Sequence, residues 1–348
     1  MREGGEPVGD GGVRLLRALK THADLRLPGY TIGLTAHENL AALYGADFDE
    51  SMWMILRYDP STDAWIERIA NHITHILGAH ESLNSEYDFD LGIVTALHAI
   101  EVESVLALAA NWETKTIAGD DAIYHVGSFS GPNGKMKVAA TASHEMGMSA
   151  AGIVSMKLID QFRPRYLAMT GIAAGVVGSF GDILIADQSW DYGSGKTITK
   201  KDTTTIFSPA PSAILVDPGL KYRLSWFVSR RRALEKIRAS WTGRDVPSSL
   251  AAHLGPIASG ASVVQSQPLV RQIESHNRKV IGVEMETYGV FLAARLCRKP
   301  RPVAMSFKSV ADFADLSKSD KYQDYAAFTS ANFLYEFALD SLLASTPQ

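Results

Sequence analysis

A chain of 348 residues, 46% hydrophobic and 21% charged, has the composition of an ordinary globule and is longer than a typical single domain. Its formal net charge of -4 and pI near 6.2 give no general attraction to nucleic acid or to an anionic membrane, and leave only a local basic patch as a route to a polyanion. One cysteine, Cys297, excludes an internal disulfide and a cysteine-built zinc site; in an apolar helical run it reads as a packing residue.

Residues 1–12, MREGGEPVGDGG, are glycine-rich and expected to be flexible. They lack the apolar core of a secretory signal, and no stretch approaches the ~20 apolar residues of a membrane span, so the expected location is the cytoplasm. Residues 13–80 alternate in short elements: helix VRLLRALKTHA, strand YTIGLTA, helix HENLAALYGA, strand SMWMILRYD and helix DAWIERIANHITHILGA. The two strands end near Thr35 and Arg57. Polar ESLNSEYDFD, residues 81–90, is expected to be a linker.

From residue 91 to 348, strands and helices alternate, which predicts an α/β domain with a mixed, mainly parallel sheet flanked by helices. The candidate strands are LGIVTAL, AIYHVGSFSG, KMKVAATAS, YLAMTGIAAGV, DILIADQSWDY, GPIASGASVV, KVIGVEM and PVAMSFKSV. In such sheets ligands gather beyond the carboxyl ends of strands.

Three carboxylates follow apolar strands: Glu101, Glu286 and Asp312. A helix starting near Glu284 puts Glu286 on one face with Val290, Ala293 and Cys297, and Glu284 on another with Tyr288 and Arg295. A charge turned toward apolar neighbours costs several kcal/mol unless something satisfies it, which makes Glu286 the site candidate and Glu284 not. The turn MTGIAAGV, with Gly171, Ile172 and Ala173, presents little side chain and would let backbone approach a ligand, or simply permit tight packing. Arg163, Arg165 and Lys196, with Lys200 and Lys201, are candidates for a basic rim that could meet a 5′-phosphate, or a solvated charged face. No HExxH, P-loop or dinucleotide fingerprint is present, so neither metal nor cofactor is expected.

TALHAIEVESVL, MTGIAAGV with GDILIAD, GPIASGASVV, VEMETYG, FKSVADFAD and YQDYAAFTSANF resemble, in order and spacing, the purine nucleoside phosphorylase and methylthioadenosine/adenosylhomocysteine nucleosidase superfamily over about residues 90–340. The resemblance implies cleavage of a purine N-glycosidic bond. It makes Asp312 the donor of a proton to purine N7, Glu101 the base that holds and deprotonates water, Glu286 the ribose-hydroxyl ligand, Met285 the residue beneath the sugar, and Val263 and Val264 neighbours of the base. A donor acid must be neutral, a state that an apolar pocket favours. Phosphorylases of the superfamily place arginines after the first strand and beside the central turn; TALHAIE and Met169 stand there, so hydrolysis is expected over phosphorolysis. Homo-oligomers, dimers or hexamers, are also implied.

Residues 13–80 resemble the second half of a response-regulator receiver domain, with Thr35 and Arg57 at its strand ends. The fusion resembles bacterial defence effectors that hydrolyse ATP to adenine and ribose triphosphate, and implies a signalling partner for the N-terminal segment. The alternatives are cleavage of methylthioadenosine or adenosylhomocysteine, phosphorolysis, and a silent nucleoside sensor.

Overall fold

The computed structural model describes Arg14, Leu15, Ala18 and residues 32–36, 54–84, 87–200, 203–244, 246–315 and 320–343. Two compact units divide the chain, Met1–Ser85 and Glu86–Gln348.

In the first unit, strands β1 (Ile32–Thr35) and β2 (Met54–Arg57) pair in parallel, with Thr35 opposite Arg57 at their ends. A parallel pair needs a crossover between its strands; the helix expected over HENLAALYGA falls there but lies outside the described residues, as do residues 1–12. Helix α1 (Ala64–Asn84) follows Asp63, a favoured helix-start residue, and carries Glu67 in its first turn. It runs into the segment expected as linker, and the next strand begins at Phe89.

The second unit opens with β3 (Phe89–Thr95), a π-helical turn at His98–Val102 and the short helix α2 (Glu103–Leu106). Strands β4 (Glu113–Ile117), β5 (Asp120–Gly131) and β6 (Gly134–Ala142), helix α3 (Met148–Phe162), and strands β7 (Pro164–Gly175) and β8 (Ile183–Asp191) follow. Next come the hairpin β9 (Gly195–Thr199) and β10 (Thr205–Pro209), the edge strand β11 (Ile214–Leu215), and helices α4 (Pro218–Ser229) and α5 (Arg232–Ser240). The chain continues through β12 (Ala252–Ser259), α6 (Gln267–His276), β13 (Gly282–Glu284), α7 (Thr287–Leu296), β14 (Val303–Asp312) and α8 (Gln323–Phe337).

Ten strands form one mixed sheet in the order β11-β8-β12-β13-β7-β3-β6-β5-β4, with β14 pairing both β7 and β8. Parallel pairings join β3 to β6 and β7, β7 to β14, and β12 to β8 and β13; the others are antiparallel. Residues Leu91–Thr95 of β3 are buried without interruption, which is why LGIVT reads as a continuous apolar run and not as an alternation. The main core includes Ile93, Ile185, Phe307, Phe333 and Phe337, all fully buried, and a second cluster gathers Val94, Leu167 and Met169 from the alternate positions of β3 and β7.

Two strand expectations change. GPIASGASVV is strand only to Ser259, so Val263 and Val264 stand in a loop. KVIGVEM is strand only over Gly282–Glu284, and the helix starts at Thr287. Strands β4, β9 and β10 are missing from the sequence expectation because polar, almost wholly exposed residues build them and leave no apolar periodicity. No helix among the described residues is long and apolar enough to cross a membrane.

Candidate active site

The carboxyl ends of β3, β7, β12, β13 and β14 converge on a cavity of about 290 Å³. Glu101, Ile172, Ala173, Val263, Val264, Met285, Glu286 and Asp312 all line it, joined by Leu97, Met146, Glu284 and Gln323. Residues separated by more than two hundred positions thus meet in one concavity, where an α/β sheet offers its ligand site.

Glu101 sits on the π-helical turn, a one-residue irregularity that recurs at functional sites. Its Oε2 accepts the backbone N–H groups of Ala96 (2.7 Å) and Leu97 (2.9 Å), and its Oε1 accepts that of Ile172 (2.8 Å). Burial raises its pKa, the Lys308 charge lowers it, and the net displacement is upward. Gly171 makes this geometry possible. At φ 148° a Cβ would stand 2.0 Å from Glu101 Oε1, so the space left by the missing side chain holds the carboxylate, and not the ligand that the sequence reading expects there.

Glu284 and Glu286 both differ from the helix-face expectation, because Glu284 ends a strand instead of starting a helix. Glu284 is buried; one of its oxygens accepts the Ser259 hydroxyl and the other the N–H groups of Glu286 and Thr287 at 2.9 Å each. It thereby caps α7, where the helix dipole favours an anion. Burial raises its pKa. Glu286 accepts the Gly147 N–H at 3.1 Å on Oε1 and the Lys308 ammonium at 3.0 Å on Oε2.

Lys308, on β14, is absent from the sequence expectations. It is fully buried, with Nζ 3.0 Å from Glu286 and 3.7 Å from Glu284. Burial works to lower its pKa, but the charges of Glu286, Glu101 and Glu284 outweigh it and keep the ammonium protonated. The available signal was one lysine inside the apolar strand PVAMSFKSVA. A fully buried lysine without partners is too costly to keep, so such a residue announces buried acids.

Asp312 ends β14, just past a register shift against β7, and is nearly buried; its Oδ1 accepts the Ala314 N–H at 2.8 Å. Val264 is buried in the cavity wall, whereas Val263 and Met146, also in the lining, are about half-exposed. The proposed phosphate contacts lie elsewhere. Arg163 caps the end of α3 and pairs with Asp88 at 3.7 Å. Arg165 lies at the start of β7, seven residues before Ile172 and so roughly 23 Å along the strand from the cavity. Lys196 is exposed on the β9 hairpin and does not line the cavity. Among the described residues no group of His, Cys, Asp and Glu is arranged to hold a metal ion.

Residues 90–335 match the family model described as Phosphorylase superfamily. An uncharacterised protein of Sinorhizobium fredii, y4jS, is 29% identical over 354 aligned positions that cover 98% of this chain and 85% of that one. The ATP nucleosidase Cap17 of Escherichia coli is 25% identical over 207 residues, 56% of this chain but only 39% of Cap17. A 5′-methylthioadenosine/S-adenosylhomocysteine nucleosidase of Maridesulfovibrio salexigens is 27% identical over 198 residues, 56% of this chain and 75% of that protein. In fold, the S-adenosylhomocysteine nucleosidase of Streptococcus pyogenes superposes with a TM-score of 0.57 at 19% identity, covering 73% of this chain and 98% of that one. With the sheet order, the converging strand ends and the match over residues 90–335 in hand, the chain belongs to the Phosphorylase superfamily.

Proposed function

We propose that the protein hydrolyses the N-glycosidic bond of a purine nucleoside, with water as the nucleophile. The observation that carries the proposal is the meeting of Glu101, Glu286 and Asp312 in one cavity. As the bond to purine N9 stretches, positive charge builds on the ribose and negative charge on the base. The carboxylates of Glu101 and Glu286 stabilise the first, and Asp312 answers the second by passing its proton to N7. Glu101 takes a proton from the water that attacks C1′; Glu286 holds the ribose hydroxyls. The free purine and the ribose leave, and the proton taken by Glu101 returns through solvent to Asp312.

Three glutamates share a single lysine on the sugar side. A phosphate dianion placed there would meet a net negative charge, whereas neutral water meets acceptors for its protons. This supports hydrolysis over phosphorolysis. A sensor without catalysis would have no use for a buried base together with an acid.

Among the described lining residues none is Lys or Arg, while Leu97, Met146 and Val263 present apolar surface. That supports a nucleoside with an uncharged 5′ group, such as methylthioadenosine. ATP is the second reading, supported by the similarity to Cap17 and by the receiver-like order of residues 13–80; with it would go a defence role and a signalling partner for the N-terminal unit. Incubating the purified protein with methylthioadenosine and with ATP, with and without phosphate, and following free adenine by chromatography tests the reading. Adenine release that depends on phosphate, or no release from either compound, refutes it.

A further inference from the structure

We propose that the outer face of α4 and the turn into α5 bind a single-stranded polynucleotide. The two helices, PGLKYRLSWFVS and RALEKIRAS, with the linking Arg230 and Arg231, hold seven basic residues against one acid, Glu235, in a chain whose net charge is -4. Leu220, Leu224 and Phe227 turn inward and are buried. The same periodicity puts Tyr222 and Trp226 outward, 77% and 62% exposed, one turn and about 6 Å apart along the axis. The Arg230 guanidinium continues this row, 5.8 Å from the Trp226 ring centre. Exposed Arg231 and Arg232 extend the positive charge across the turn. No acidic residue lies on α4 itself.

Two exposed rings followed by a stacking guanidinium, flanked by cations, match what unpaired bases and their phosphates require: flat apolar faces at intervals and positive charge beside them. Bases locked in a duplex would not reach the rings. A second copy of the chain fits poorly, because a two-fold contact through this turn would set Arg231 and Arg232 against their own copies. The surface shares no residue with the catalytic cavity, so occupation of one leaves the other open. Lys221, Arg230 and Lys236 already hold Asp187, Asp340 and Glu336, and the phosphates would therefore be met chiefly at Arg231 and Arg232.

The test uses the full chain and a fluorescein-labelled oligothymidylate of about 20 nucleotides, long enough for the site sizes of such surfaces and free of any purine to hydrolyse. Fluorescence anisotropy should show binding that weakens tenfold or more between about 50 and 200 mM salt. Tyr222→Ala with Trp226→Ala should weaken it at least tenfold at low salt, and Arg231→Glu with Arg232→Glu should abolish it, both with unchanged adenine release as proof of folding. Absence of binding by the wild type overturns the proposal. So does equal binding by the aromatic variant, which would mark a mere charge effect. Equal displacement by polyglutamate overturns it in favour of an acidic protein partner, and a change of sedimentation in the aromatic variant without loss of oligonucleotide binding overturns it in favour of a second copy.

Discussion

Replacing Lys308 by methionine tests the electrostatics of the site most directly. At an effective dielectric constant of about 20, a unit charge pair at 3.0 Å is worth about 5.5 kcal/mol and one at 3.7 Å about 4.5 kcal/mol, the separations of Lys308 from Glu286 and Glu284. The lysine's own desolvation offsets much of that sum, and removal of one partner from a buried pair costs about 3–5 kcal/mol. In Lys308→Met the three glutamates relieve the strain by taking up protons. At about 1.4 kcal/mol per pH unit, 3 kcal/mol moves that uptake upward by about 2 units. If Glu101 is the base, as proposed, the acid limb of kcat/KM in the wild type should lie above the ordinary glutamate value of 4.5, because burial raises its pKa. In the variant this limb should move about 2 pH units closer to neutrality, so that kcat/KM is down about 100-fold at pH values below the wild-type limb and much less at pH 8. Stability carries its own sign: carboxyl pKa values raised in the folded state contribute stability that is present below 4.5 and is lost as pH rises through the raised values. The variant should therefore melt higher at pH 5 than at pH 8. Adenine release across pH and thermal melting at the two pH values read both effects, and the double variant Glu284→Gln/Lys308→Met should regain part of the loss. An unmoved acid limb together with a melting temperature indifferent to pH would refute the charge account.

Asp312→Asn removes the proton donor while keeping shape, and should lower kcat by 10²–10⁴-fold with KM nearly unchanged; a large rise in KM alone would reassign Asp312 to binding. Gly171→Ala brings a methyl group 2.0 Å from Glu101 Oε1 and demands a φ of 148° from an alanine, so kcat/KM should fall at least 100-fold, read by single-turnover adenine release. Ser259→Ala takes a buried hydroxyl from Glu284 and from the Tyr288 N–H, and urea unfolding should show a loss of about 1–3 kcal/mol.

The positions of Glu101, Glu286 and Asp312 were legible because each follows an apolar strand, and a strand end in an open α/β sheet points at its crevice. Glu284 was misread for want of one boundary: with the helix starting at Thr287 and not at Glu284, the face argument shifts, and the residue becomes a buried cap. Arg163 precedes β7 and Arg165 is its second residue, so chain direction already places them at the end of the sheet remote from the site, however near they stand in sequence to the turn at Gly171. Lys308 shows the opposite limit. Its strand pattern predicts burial, but which acids receive it depends on β13 and the turn after β3, and local periodicity does not contain that pairing. The same holds for Gly171, whose role is set by a side chain seventy positions earlier.

That clasp has a consequence for how the catalytic machinery comes into being. Three backbone donors from two distant stretches of chain fix the Glu101 carboxylate, so the group proposed to activate water is aimed by the fold itself. Such a rivet cannot close until the first and fifth strands of the large sheet lie side by side. A piece of the chain ending ahead of Ile172 would own the glutamate yet lack the seat that aims it, and competence for catalysis should emerge late in folding, in a single step.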